Sequence, residues 1–121
     1  MSYNIYLFHP EVKTKSLQDR LPLNKFEHPK LSTEQISYFI TRLKPYEYQE
    51  NDVPNKIAEY EKYFGKCVVT VSIYDTEIAF SVPYLKDSDR AIFEALMTAS
   101  EINDTGKFAL YNPQDGTWDE D

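Results

Sequence analysis

Residues 66–84, KCVVTVSIYDTEIAFSVPY, decide the fold. Two runs of β-branched and aromatic residues flank Asp75-Thr76. A tight two-residue turn at that pair sets Ile73 opposite Ile78, Val71 opposite Phe80 and Val69 opposite Val82. Cys67, Val69, Val71, Ile73, Ile78, Phe80, Val82 and Tyr84 then share one face. Val68, Thr70, Ser72, Tyr74, Glu77, Ala79 and Ser81 share the other. An antiparallel hairpin that is oily on one side and small and polar on the other buries the first against helices. The second is left to water or to a partner.

The flanking chain must supply the cover. Residues 2–9 place Tyr3, Ile5 and Leu7 on one side and Asn4, Tyr6 and Phe8 on the other, which suits a strand central in its sheet, and His9-Pro10 ends it. Residues 10–30 read as an ordered loop with one helical turn, anchored by Leu21, Leu23 and Phe26, since Pro22 and Pro29 break any long helix. A helix then opens at Ser32. Ser32 and Gln35 have capping-box spacing, Leu31 and Ile36 stand as a hydrophobic staple, and Ile36, Phe39, Ile40 and Leu43 form one stripe ending before Pro45.

Residues 46–65 admit two readings. Asp52 and Pro54 can start a short helix that stops at Gly65, or residues 57–63 can be a strand leading into the hairpin. The last helix runs from Asp87 or Ser88 to Ile102, with Ile92, Ala95, Leu96 and Ala99 on its stripe and Gly106 just beyond its end. Residues 108–111 form a short strand, and Asn112-Pro113-Gln114-Asp115-Gly116 turns the chain through Trp118 into an acidic end. The fold class is α+β. It is a two-layer sandwich: an antiparallel β-meander and the N- and C-terminal strands form one sheet, with two main helices on one face.

At 121 residues the chain has room for one core and one domain, residues 1–121. Its start carries neither a basic leader nor a long apolar run, so a soluble, cytoplasmic protein is expected. The net charge is −7, and residues 66–121 hold eleven acids against four Lys/Arg. Such a field repels nucleic acid and anionic lipid and favours encounter with basic proteins. The lone Cys67 falls on the oily face, as a small buried side chain.

His9 and His28 have no metal-ligand spacing around them, and the three glycines form no phosphate loop, so neither a metal nor a cofactor is expected. Tyr6 and Phe8 lack the interleaved cations of an RNA-binding sheet and read as filling beneath a loop or the C-terminal end. Two stretches have the composition of a partner-binding surface: Tyr46, Glu47, Tyr48 and Glu50, and Asp115, Trp118, Asp119 and Glu120.

MSYNIYLFHPEV at the start, TEIAFSVPY in the middle, and AIFEALMTASE with FALYNPQDGTW at the end together resemble a group of small bacterial proteins of unassigned function. That group shows an opening SYDIYL, a SVPYW after a hairpin and a closing NPQ.G.W turn. Leu85 stands here where the group commonly has Trp. The resemblance implies an extended segment at 57–63 and brings no catalytic residue set.

Small size, acidity and the lack of a catalytic constellation point to a non-enzymatic binding protein. Its most concrete form is an immunity protein that covers the active site of a cognate, basic antibacterial toxin. Two alternatives stand beside it. One is a small enzyme built from His9, Glu77 and Tyr111; the other is a ligand-binding or homodimeric scaffold paired through an edge strand.

Overall fold

A computed structural model describes residues 2–86 and 88–119. Seven strands form one antiparallel sheet: β1 (Ser2–Phe8), β2 (Gln49–Asn51), β3 (Ala58–Phe64), β4 (Cys67–Ile73), β5 (Glu77–Pro83), β6 (Ala109–Asn112) and β7 (Thr117–Trp118). Their order is β2-β3-β4-β5-β1-β6-β7. The helices are α1 (Pro10–Gln18), α2 (Thr33–Leu43) and α3 (Asp89–Ile102). The α+β class and the single mixed-origin sheet are as the sequence implies.

The central hairpin has the register set by its turn. Ile73 faces Ile78 and Val71 faces Phe80, and the Tyr74 N–H donates to the Glu77 carbonyl at 2.8 Å across Asp75-Thr76. Val69, Val71, Ile73, Ile78, Phe80 and Val82 are wholly buried. The last member of that face, Tyr84, is exposed instead, beyond the end of β5. Helix α2 covers the oily face by way of Phe39, whose ring meets Phe80 edge-on at 5.9 Å. Helix α3 adds Ile102 and the small Ala91, Ala95 and Ala99, which bring it close to β1, β4 and β5.

The capping box of α2 is present: Ser32 Oγ accepts from the Gln35 N–H at 3.0 Å, and Gln35 Oε1 accepts from the Ser32 N–H at 2.8 Å. Strand β1 lies inside the sheet between β5 and β6. Its Ile5 and Leu7 join the main core, whereas Phe8 is buried apart from it on the opposite face.

One local expectation is corrected, and one left open is settled. Residues 10–18 form a nine-residue helix in place of a loop, because Pro10 takes the first helical position and the His9 ring caps it by accepting from the Glu11 N–H at 3.1 Å. The prolines at 22 and 29 fall after its end. Residues 58–64 are strand, fixed by pairing all seven with β4, and the segment 52–57 before them is not a helix. Trp118 sits in β7 against Tyr111, with ring centroids 4.8 Å apart. Asp87, Glu120 and Asp121 lie outside the described residues.

Both edges of the sheet are short strands, three residues in β2 and two in β7. Where β6 stops short of the start of β1, the Gln114 amide takes its place. Its Oε1 accepts from the Asn4 N–H and its Nε2 donates to the Asn4 carbonyl, each at 2.8 Å.

Candidate functional site

The face of the sheet turned away from α2 and α3 is organised in rows. One row crosses all seven strands: Asn51, Glu59, Ser72, Ala79, Tyr6, Tyr111 and Trp118 are successive register partners. Beside it run Gln49, Glu61, Thr70, Ser81 and Asn4 on one side, and Tyr74, Glu77, Phe8 and Ala109 on the other. Six strand spacings of about 4.8 Å make this face roughly 29 Å wide. Its middle, on β4 and β5, is small: Thr70, Ser72, Ala79 and Ser81. Its flanks are tall, acidic on β3 and aromatic on β1, β6 and β7. Small residues between tall flanks make a shallow trough.

At the acidic flank, Lys56 Nζ donates to Glu59 Oε1 at 2.5 Å and to Ser72 Oγ at 3.0 Å, and lies 5.8 Å from the centre of the Tyr74 ring. Asn51 Nδ2 also donates to Glu59, at 3.1 Å. A serine beside a lysine and a tyrosine resembles a nucleophile with its base. The charges say otherwise. The bond to Glu59 raises the Lys56 pKa, so the ammonium stays protonated and cannot take the Ser72 proton. The same contact, with that from Asn51, holds Glu59 below its ordinary value. The cluster is an ion pair anchoring the 52–57 segment to the sheet.

At the aromatic flank, Tyr6 stacks on Phe8 at 5.7 Å, and Phe8 is further enclosed by Trp118 at 6.1 Å and by His28, edge-on, at 5.1 Å. His28 is held in the returning loop by Phe26 and by a 2.7 Å hydrogen bond between Nε2 and the Leu23 carbonyl. Burial raises the Glu77 pKa, opposed by His28. Burial first, then the charge of Glu77, raises that of Tyr6.

The three candidates for an enzyme are not assembled. Glu77 and Tyr111 lie on the trough with β1 between them, while the His9 ring is turned to the start of α1. An open cleft of about 670 Å³ lies between α1 and the 27–30 segment, lined by Lys15, Asp19, Glu27, His28 and Lys30; Glu77 does not line it. Among the described residues no group of three or more His, Cys, Asp or Glu stands where it could hold a metal, and no helix is long and apolar enough to cross a membrane. Cys67 is buried.

The two stretches expected to bind a partner lie at opposite edges of the sheet. Glu50 is on β2, with Tyr46, Glu47 and Tyr48 just before it. Tyr46 and Tyr48 turn inward against the core. The Tyr46 hydroxyl donates to Glu101 at 2.5 Å, and burial pushes the Tyr48 hydroxyl up to about 12. Glu47 and Glu50 stay exposed, Glu47 in the left-handed region at φ 63°. Asp115 and Asp119 belong to the β6–β7 edge. Asp115 Oδ1 accepts from the Thr117 N–H and hydroxyl, and the Asp119 N–H donates to the Leu110 carbonyl. Among the described members of the set, Trp118 is the one that reaches the trough.

The trough residues Tyr6, Ser72, Tyr74 and Ala79 are legible as alternating faces but not as one surface, because strand order is not written in the alternation. Compared with known proteins, the chain matches no family model, no curated protein and no solved structure.

Proposed function

We propose that this chain is a non-enzymatic, cytoplasmic protein-binding module, most concretely an immunity protein that occupies the active site of a cognate basic toxin. The single observation behind the reading is the trough: the sheet face turned away from α2 and α3, about 29 Å wide, floored by Ser and Ala, walled by Tyr and Trp, with Glu59, Glu61 and Glu77 against one cation, Lys56. Tyr and Trp walls with little Lys are the composition of interface centres. A face of that width accommodates the roughly 800 Å² that each partner buries in a stable complex. Its acidity, within a chain of net charge −7, favours a basic partner and opposes a second copy of itself.

The test is co-expression with the product of the adjacent gene. The reading expects restored growth, a one-to-one complex on gel filtration, and loss of both with Glu61→Lys at the trough. Growth arrest that this chain does not relieve, with no complex at low or moderate salt, would reject it.

A further inference from the structure

Glu77 is a charged group of the trough that no salt bridge among the described residues reaches. Glu77 opens β5 between Tyr74, which pairs with it across the turn, and Phe8, its register partner on β1. Side chains directly opposite on one face of an antiparallel pair stand about 5 Å apart, so Glu77 has Tyr74 as its neighbour on one hand and the buried Phe8 on the other. Tyr6 lies one step along β1 on the same face, close enough that its hydroxyl responds to the charge of Glu77. Glu77 is half-buried. Among the described residues the salt bridges join Lys30 to Asp75, Arg42 to Asp104 and Lys56 to Glu59, and none reaches Glu77.

The charge of His28 acts on Glu77, but no cation among the described residues forms a salt bridge with it. His28 faces it from the loop, but its Nε2 is bonded to the Leu23 carbonyl and its ring is wedged between Phe8 and Phe26. Lys30 is spent on Asp75 at the turn. A half-desolvated carboxylate walled by rings costs the free protein stability. That cost is recovered when a cation arrives, for the carboxylate takes its N–H donors while the ring faces attract its charge.

We propose that Glu77, with Tyr74 and Tyr6 beside it, is the receptor for one cationic side chain, a guanidinium or an ammonium, presented by the protein that docks on the trough. This assignment rests on the protein-binding reading above and specifies where the partner's charge is recognised. A guanidinium fits best, since its plane can lie against a tyrosine ring while its edge meets the carboxylate in two parallel hydrogen bonds.

The experiment is a carboxylate NMR titration of the full chain, carried out alone, with tetra-arginine peptide and with tetra-lysine peptide. Bound peptide is expected to lower the Glu77 midpoint by about one pH unit, equivalent to tenfold preferential binding to the ionised form. Resonance changes should centre on Tyr6, Phe8 and Tyr74, with tetra-arginine acting at lower concentration than tetra-lysine. Glu77→Gln, which keeps the shape and removes the buried charge, should weaken the peptide about tenfold, and Tyr74→Leu should weaken it without moving the free midpoint far. A Glu77 midpoint that does not move, or peptide binding that Glu77→Gln leaves unchanged, overturns the assignment. The two proposals fail differently. If the adjacent gene's product binds wild type and Glu77→Gln equally well, the receptor is wrong and protein binding stands. If the peptide titrates Glu77 while that product is ignored, the receptor stands and the immunity reading falls.

Discussion

Phe80 shows how far a single residue can be placed from sequence. The period of two and the Asp75-Thr76 turn put it on the oily face, and it is fully buried there against Phe39. Phe80→Ala should lower the unfolding free energy by about 3–5 kcal/mol in urea titrations; a loss under about 1 kcal/mol would mean that the core does not close around it. Glu77 was legible only in part. Its side of the hairpin followed from alternation, but its isolation depends on Phe8, nearly seventy positions away in the chain. Burial holds its pKa above the ordinary 4.5. The stability linked to Glu77 is therefore fully present below that ordinary value and is lost as pH rises through the raised one. Glu77→Gln removes this loss, so urea midpoints of the variant should exceed wild type at neutral pH and converge with it in acid. Glu59 works in the other direction. Lys56 and Asn51 lower its pKa, and its contribution is lost as pH falls through the lowered value.

Among the elements, α2 and α1 explain why one helix could be read and the other not. Helix α2 announces itself with Ser32, Gln35 and a wide apolar stripe, and Ser32→Ala should cost about 1 kcal/mol in the same titrations. Helix α1 buries only Val12, so it has no stripe, and its cap is a histidine, outside the usual Ser, Thr, Asp and Asn. Strand β3 was ambiguous for a related reason. Pro54 and Gly65 punctuate a helix and a strand equally well, and what decides is the seven-residue ladder with β4, a contact between segments. The closing turn was recognisable by its Asn, Pro and Gly, yet the pairing of Gln114 with both backbone groups of Asn4 joins positions at opposite ends of the chain.

For the whole molecule, strand order is what the sequence withheld, and it governs the candidate site. The two acidic-aromatic stretches singled out by composition fall on opposite edges, while the trough gathers residues from every strand. Charge acts at this scale too. With a net charge of −7, association with a basic partner should slow by about tenfold between low and near-physiological salt while dissociation changes less, which stopped-flow mixing would measure. An equal effect of salt on both rates would locate recognition outside the acidic face. The short outer strands and the Gln114 amide bear on a different property. A long bare strand is a template on which further chains can assemble into fibrils, whereas this sheet ends in a three-residue and a two-residue strand, with a side chain seated where a neighbour's backbone would pair. The folded protein therefore offers little purchase for growth along its edges.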